Sequence, residues 1–278
     1  RHTRLRTVTG VQTCALPIYL DSELKMLRVI RRLAGSLPII IKSTFLGAHA
    51  VPAEFAGRKS EYIHVLINDW IPAIAAEKLA DYCDVFCENG YFTAEETTAI
   101  LQAAVKHGMI PKVHAEQLSH SGGIQAGVAC GAISVDHLEY ISEADIKILA
   151  SSSTMPVVLP GAQLFLGLPS PPVRAMIKSG LPVALSTDFN PGSSPTGNMN
   201  QMVSLACILY KMTPAEAIIA STTNSAYAMG ISTTHGSIAK GKQANFFLTR
   251  PIPSPSFLPY YFGSVLIDKI ILAGRLQS

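Results

Sequence analysis

Charged residues are scarce in this sequence, which disfavours proteins that depend on a strongly charged surface, such as those that bind nucleic acids. Asp, Glu, Lys and Arg make up 15% of the 278 residues, against about 25% in typical soluble domains. The net charge of +3 is not clustered, so nothing indicates a nucleic-acid-binding surface. With Ala and Gly present throughout, the low charge predicts a large α/β body with many buried strands.

The sequence also lacks a long apolar run. No uninterrupted run reaches the roughly 18 residues that a membrane span requires. Pro156, Pro160 and Gly161 interrupt the apolar-rich stretch 155–168. We therefore predict that the protein has no membrane segment.

Cysteine is sparse, and its positions do not suggest a disulfide framework. The five cysteines are Cys14, Cys83, Cys87, Cys130 and Cys207. An odd, scattered set in a chain of this length predicts reduced thiols and a cytoplasmic protein. Cys83 and Cys87 are four residues apart with no second pair to face them, which argues against a structural zinc site between paired cysteines.

The glycine-rich motifs that bind nucleotide phosphates, GxGxxG and GxxxxGK[ST], follow none of the predicted strands. From residue 20 onward the sequence instead alternates short apolar runs with helical segments, and six strands are predicted between residues 38 and 190. This alternation predicts βαβ units and a parallel sheet. Both an open doubly wound sheet and a TIM (β/α)8 barrel without its first two strands fit, and the missing phosphate loop disfavours the former.

Polar residues recur where predicted strands end, at His49, Glu88, His114, His137 and Asp188. In a barrel these ends meet on one face, where active sites lie. Any one of these residues alone is more often a packed residue or a turn cap, but capping does not explain two histidines and an aspartate together. Neutral imidazole and carboxylate are the ligands that bind zinc or iron and leave a position for water. Glu116 is interpreted as a solvated or barrel-facing strand neighbour.

The two ends of the chain differ from its middle. Residues 1–18 lack an initiator Met and any acidic residue, and we interpret them as an artefactual leader, similar to a translated sequencing adapter. Residues 19–230 are assigned to the partial barrel. Residues 231–278 alternate and turn on glycines like a small β-structure, and PIPSPSFLP within them is predicted to be a loop.

Several segments of the sequence carry a family resemblance. STFLGAHAVP, HAEQLS, VDHLEY, LPGAQLFLG and STDFNPGSSPTGNM, in this order, resemble the amidohydrolase superfamily of metal-dependent hydrolases and, within it, the imidazolonepropionase family. The resemblance covers residues 20–278. It implies an amidohydrolase-type barrel, and HGSIAKGKQANFFL resembles the return of the chain into a small β-sandwich domain.

The resemblance implies a role for each matching residue. His114 and Asp188 would be metal ligands, and the metal would be zinc or iron. His137 would be a catalytic histidine, and Asp188 would also accept a proton. Gln117 would face the imidazolone ring as a catalytic and substrate-binding residue, although an amide is a poor general base. The remaining substrate-binding residues would be His49, Asn190, Gly192 and Ser193.

The reaction that this resemblance implies is hydrolysis of the cyclic amide C–N bond of 4-imidazolone-5-propanoate by a metal-activated water. The product is N-formimidoyl-L-glutamate, an intermediate of histidine degradation. The family's first-strand His-x-His pair, and an Arg and a Tyr that follow it, have no counterpart here, so we expect this chain to bind metal weakly and to be nearly inactive.

The alternatives are another amidohydrolase, either a cyclic amidase or an aminoazine deaminase, and a non-catalytic remnant. Related enzymes suggest a homodimer.

Overall fold

A parallel sheet of six strands lies at the centre of the protein, as the alternating sequence pattern predicts. The structure is a computed structural model that describes residues 19–277, so the leader assigned to residues 1–18 lies outside the described residues. The strands are neighbours in chain order from the first to the sixth, and each adjacent pair is parallel. They are β1 (Thr44–Ala48), β2 (Tyr82–Cys87), β3 (Ile110–Ala115), β4 (Ser134–His137), β5 (Met155–Val158) and β6 (Ala184–Leu185).

Helices connect successive strands, as parallel pairing requires. Their apolar residues pack against the sheet and against one another in one large core. The helices before β6 are α1 (Leu20–Ser36), α2 (Lys59–Val65), α3 (Ile71–Ala76), α4 (Ala94–Lys106), α5 (Gly123–Ala129), α6 (Glu143–Ala150), α7 (Pro160–Leu166) and α8 (Val173–Lys178). Those directly after it are α9 (Met199–Leu209), α10 (Pro214–Ile219) and α11 (Ser225–Ala228).

The start of α4 follows directly from the local sequence. The Thr93 hydroxyl accepts a hydrogen bond from the Glu96 amide at 3.2 Å, and the Glu96 carboxylate accepts one from the Thr93 amide at 2.8 Å. This reciprocal capping box satisfies two backbone donors that a helix start leaves unpaired. The spacing of Thr93 and Glu96 in the sequence predicted it.

Two elements are shorter than their sequence pattern suggests. The predicted first strand spans residues 38–49, but β1 begins only at Thr44. The apolar run at residues 182–185 contributes only Ala184 and Leu185 to β6, because the chain then leaves the sheet for the turn around Asn190. The predicted helix around Pro72 is divided into α2, a π-helical turn over Leu66–Trp70, and α3. Proline has no amide hydrogen to donate, so it is tolerated at the start of α3.

A separate three-stranded antiparallel sheet follows the barrel segment. It consists of β7 (Phe246–Thr249), β8 (Ile267–Leu272) and β9 (Arg275–Leu276), in that order. This sheet agrees with the β-structure expected over residues 231–278. The loop predicted for PIPSPSFLP ends in a short helix, α12 (Phe257–Tyr260), so the loop prediction was wrong for its last residues. Within the described residues, no helix combines the length and hydropathy needed to cross a membrane.

Candidate active site at the strand ends

The carboxyl ends of the parallel strands bring the predicted site residues together. His49 directly follows β1, His114 is the penultimate residue of β3, and His137 is the last residue of β4. The ring centroids of His114 and His137 are 5.3 Å apart, and those of His49 and His114 are 6.2 Å apart. Three imidazoles from three different strands therefore share one small volume.

His114 is held by a carboxylate on the neighbouring strand. Its Nδ1 lies 3.0 Å from Oδ1 of Asp84, which is buried on β2. Burial alone would lower the pKa of His114, but the carboxylates of Asp84, Asp136 and Asp188 outweigh burial and raise the pKa to about 9. When Asp84 engages Nδ1, the other ring nitrogen is left to face the site.

His137 lies in a strained and buried turn. Its side chain is 2% exposed, and its Nδ1 has no hydrogen-bond partner among the described residues. The φ angles of His137 and Leu138 are 86° and 73°, a left-handed conformation that is uncommon for residues other than glycine. Burial, followed by the nearby His114 and His49, lowers the pKa of His137 well below its usual value, so its imidazole is neutral.

His49 is a second neutral imidazole. Its ring stacks on Phe86, with 5.2 Å between ring centroids and an interplanar angle of 18°. Burial, assisted by the positive charge of His114, lowers the pKa of His49 to about 4. Its Nδ1 is buried without a partner among the residues that the structure describes, so it can bind a polar group of a ligand.

Asp188 lies in the turn of residues 186–195, which follows the buried strand β6. Asn190 organises this turn: its Oδ1 accepts hydrogen bonds from the amides of Gly192 and Ser193 at 2.8 and 2.7 Å. Its Nδ2 donates to the backbone carbonyl of Asp188 at 2.7 Å. Asp188 therefore does not cap the turn, because Asn190 performs that task. Burial raises the pKa of the Asp188 carboxyl group, and the charge of His114 opposes this rise.

The loop after β3 carries one predicted site residue, Gln117, and one buried carboxylate, Glu116, that organises the loop. Gln117 is buried, and its contact with the imidazolone ring stays a prediction. Glu116 is fully buried, and it accepts hydrogen bonds from the amides of Ser121 at 2.6 Å and of Gly122 and Gly123 at 3.1 Å. Of the two interpretations of Glu116, solvated or barrel-facing, the solvated one was therefore wrong: Glu116 binds the amides at the start of α5.

Glu88, the residue directly after β2, is also buried. Its carboxylate accepts hydrogen bonds from the amides of Leu118 and Ser119 at 2.8 and 3.2 Å. Glu88 thus holds the loop after β3 against the loop after β2. All of its assigned contacts are structural.

Histidine and aspartate at the strand ends are side chains that bind zinc or iron. The contact between His114 and Asp84 also has the arrangement found behind a metal-binding histidine. A metal-binding histidine generally donates its second ring N–H to a carboxylate or carbonyl, as Asp84 allows here. A metal would have to displace the proton that Asp84 favours on the ring. Residues 19–277 contain no group of three His, Cys, Asp or Glu side chains arranged to hold a metal ion.

Comparison with known proteins assigns the family. The sequence profile of the amidohydrolase family matches residues 87–276. The chain belongs to the amidohydrolase family. Within this family it is 56% identical over 256 residues to the imidazolonepropionase of Flavobacterium johnsoniae and 53% identical to that of Flavobacterium psychrophilum. In both cases the match covers 92% of this chain and 62% of the relative, so the chain spans less than two thirds of the length of these curated relatives.

Solved structures of amidohydrolases and related enzymes share the fold. An adenosine deaminase from Xanthomonas campestris with bound zinc superposes with a TM-score of 0.67 at 18% identity, covering 90% of this chain and 63% of the deaminase. The guanine deaminase of E. coli gives 0.68 at 15% identity, covering 94% and 69%. The six-stranded sheet is therefore part of an amidohydrolase-type TIM barrel, with a small antiparallel sheet after it.

Sequence reasoning did not identify two polar residues of this amidohydrolase site. Asp84 lies inside the apolar strand YCDVFC, and Glu139 follows the histidine of VDHLEY. Asp84 faces the same side of β2 as Phe86, and Phe86 pairs with His114 on β3. Side chains alternate between the two faces of a strand, so the sequence alone places Asp84 and Phe86 on one face. It does not show that β3, which carries His114, is the neighbouring strand.

Proposed function

We propose that the whole protein hydrolyses the cyclic amide C–N bond of 4-imidazolone-5-propanoate to give N-formimidoyl-L-glutamate. The observation that carries this proposal is the convergence of His49, His114 and His137 at the carboxyl ends of three strands. Relatives named imidazolonepropionase, 42–56% identical to this chain, support the choice of substrate. The proposed place of this reaction in metabolism is histidine degradation in the cytoplasm.

We assign a divalent metal ion to this site, zinc or iron, with His114 and Asp188 among its ligands. The bound metal would polarise the amide carbonyl and lower the pKa of water towards about 7. The bound zinc of the X. campestris deaminase is consistent with this assignment. The remaining ligands would come from the part of the relatives that this chain does not match.

Each of the other site residues has a proposed task toward the substrate. Asp188 accepts the proton from the attacking water, since it is a partly buried carboxylate in the segment that follows β6. His137, neutral and buried, forms a hydrogen bond to the reacting group. Gln117 binds the imidazolone ring through its amide, since an amide is not a proton acceptor at neutral pH.

The propionate end of the substrate needs hydrogen-bond donors. His49 and the turn of Asn190, Gly192 and Ser193 are assigned to this end. Within the turn, the Asn190 side chain already accepts the two backbone amides and donates to the Asp188 carbonyl and the Ser193 hydroxyl, so the Ser193 hydroxyl, whose own donor contacts are 3.2 and 3.5 Å, is the group best placed to donate to the ligand. Ring opening then leaves the propionate in place while the C–N bond breaks.

The test is to assay the full-length protein with bound zinc or iron for loss of 4-imidazolone-5-propanoate, with guanine as the comparison substrate. We expect ring opening and no release of ammonia from guanine. His137→Asn should abolish turnover, whereas His64→Asn, on the exposed side of α2, should not. Deamination of guanine without ring opening would replace this function with that of an aminoazine deaminase.

A further inference from the structure

Glu139 is a buried carboxyl group beside His137. Its side chain is 0% exposed, and neither carboxyl oxygen has a hydrogen-bond partner among the described residues. Its Oε2 is 4.0 Å from Nδ1 of His137, which is itself buried and unpartnered. Two buried polar groups that face each other without other partners are rare in folded proteins.

The surroundings of Glu139 determine which form of the group is stable. No Lys or Arg nitrogen of the described residues lies within 4.0 Å of its carboxyl oxygens. An unpaired buried carboxylate costs far more free energy than the neutral acid. Burial, together with the nearby carboxylates of Asp188 and Glu88, raises the pKa of Glu139 to about 8. The group is therefore a neutral carboxylic acid with one O–H donor.

Tyr210 is the other polar group next to Glu139. Its hydroxyl is buried and has no partner in the described part of the chain. Burial, with a further contribution from the charge of Glu139, raises the pKa of Tyr210. The tyrosine thus remains a neutral hydroxyl, and it provides no positive charge that would stabilise an ionised Glu139.

The backbone keeps Glu139 and His137 in place. The amide of Leu138 donates to the carbonyl of Ala115 at 3.1 Å, and the amide of Tyr140 donates to the carbonyl of Glu116 at 2.8 Å. These bonds attach the segment after β4 to the end of β3. These contacts hold the segment that carries His137, Leu138 and Glu139 against the neighbouring strand, and they keep the Glu139 carboxyl group 4.0 Å from Nδ1 of His137.

We propose that Glu139 is the positioning residue for His137, donating its carboxyl O–H to Nδ1 so that the imidazole carries its hydrogen on Nε2. With Nδ1 occupied as an acceptor, neutral His137 has only an N–H to offer the reaction. Resting on the function proposed above, this makes His137 a hydrogen-bond donor to the carbonyl oxygen on which negative charge develops. Proton acceptance is left to Asp188, and no proton leaves Glu139 in the reaction.

The decisive measurement is the tautomer of His137, which long-range ¹H–¹⁵N spectra of histidine-labelled protein report directly. The 278-residue chain is measured at pH 7, and the signals of His137 are assigned by their loss in His137→Gln. We expect one neutral tautomer with the hydrogen on Nε2. A hydrogen on Nδ1 would show that Glu139 accepts rather than donates, and would overturn the proposal.

Two variants of Glu139 extend the test. In Glu139→Gln the side-chain amide can still donate to Nδ1, so we expect the same tautomer. Glu139→Met has a similar volume but no donor, and we expect both tautomers to be populated. An unchanged His137 spectrum in Glu139→Met would overturn the proposal. If Glu139→Met does not fold, the spectra of the wild type and of Glu139→Gln still decide between the tautomers.

Asp145→Asn is the matched control, because Asp145 is a buried aspartate that pairs with a different histidine. Its Oδ2 is 2.8 Å from Nε2 of His120. We expect this variant to shift the His120 signals and to leave those of His137 unchanged. In the full-length protein, Glu139→Gln should keep a kcat at least tenfold above that of Glu139→Met, with similar KM values. If the full-length protein does not open the imidazolone ring, the proposed function fails, while the tautomer measurement still tests the role of Glu139.

Discussion

Oδ1 of Asp84 lies 3.0 Å from Nδ1 of His114, across two adjacent strands whose side chains face the same interior. Asp84 is buried and His114 is largely buried, so the pair is shielded from solvent. The contact fixes the imidazole before any ligand arrives. Its orientation leaves the other ring nitrogen for the site.

Asp84→Asn should therefore weaken metal binding. Loss of a carboxylate behind a metal-binding histidine typically costs about 10- to 100-fold in affinity. We expect a loss of this size in the full-length protein, measured by competition with a zinc chelator. Asp145→Asn, which alters a second aspartate–histidine pair whose histidine is exposed, should leave zinc affinity within error. Equal affinities of the wild type and Asp84→Asn would show that Asp84 does not act on a ligand.

The 278-residue chain itself should bind zinc weakly. The described residues offer His114 and Asp188 but no group of three ligands, whereas protein zinc sites use three or four protein ligands. After dialysis against buffer, we expect much less than one zinc per chain by elemental analysis. One tightly held zinc per chain, removed by His114→Asn, would contradict this expectation.

Glu23 makes stability depend on pH. It is buried in the first turn of α1, and burial raises its pKa from 4.5 to about 7. The folded state therefore holds the proton more tightly than the unfolded state, so stability is highest below pH 4.5 and falls as the pH rises to about 7. We expect Glu23→Gln to stabilise the fold above pH 7 by on the order of 3 kcal/mol, and to have little effect near pH 4.

Urea unfolding at pH 4, 6 and 8 measures this difference. Asp21→Asn, an exposed position in the same helical turn, is the matched control and should show no comparable pH dependence. A Glu23→Gln variant with the same gain in stability at all three pH values would contradict the linkage argument.

Gly123 allows α5 to approach the sheet closely. A Cβ atom at this position would lie 2.9 Å from the Ala115 Cβ and 3.0 Å from the Cys87 Cβ, both at the ends of their strands. Gly123→Ala should therefore destabilise the fold by about 1–3 kcal/mol. Gly35 in α1 has no atom within 4 Å of its added Cβ, so Gly35→Ala should be neutral or stabilising by up to about 1 kcal/mol. Urea unfolding of both variants provides the comparison.

The order of the strands and the convergence of His49, His114 and His137 could be predicted because both follow from local signals. Alternating apolar and helical segments define the sheet, and histidines at corresponding strand ends then meet on one face. Asp84 and Glu139 could not be predicted in this way. Each is a polar residue in or beside an apolar strand. The role of Asp84 depends on its contact with His114 on another strand, and that of Glu139 depends on the burial of its surroundings.

Backbone conformation set a second limit to what the sequence could predict. His and Asp adopt the left-handed conformation more often than most residues and Leu does not, but no local sequence signal requires it at His137, Leu138 and Asp188, whose φ angles are 86°, 73° and 49°. Glycine would be the ordinary choice at such positions. The tertiary hydrogen bonds of the neighbouring strands hold these residues there, and a single sequence contains no local signal for them.

These three left-handed residues have a consequence for the evolution of the protein. A change of His137 to glycine would relieve backbone strain at the same position where it removes the side chain that we propose to be catalytic. At the ends of β4 and β6, a substitution that increases the stability of the fold would therefore decrease its activity. A lineage released from the need for this reaction would be expected to lose its histidine and aspartate first, and to become more stable as it did so.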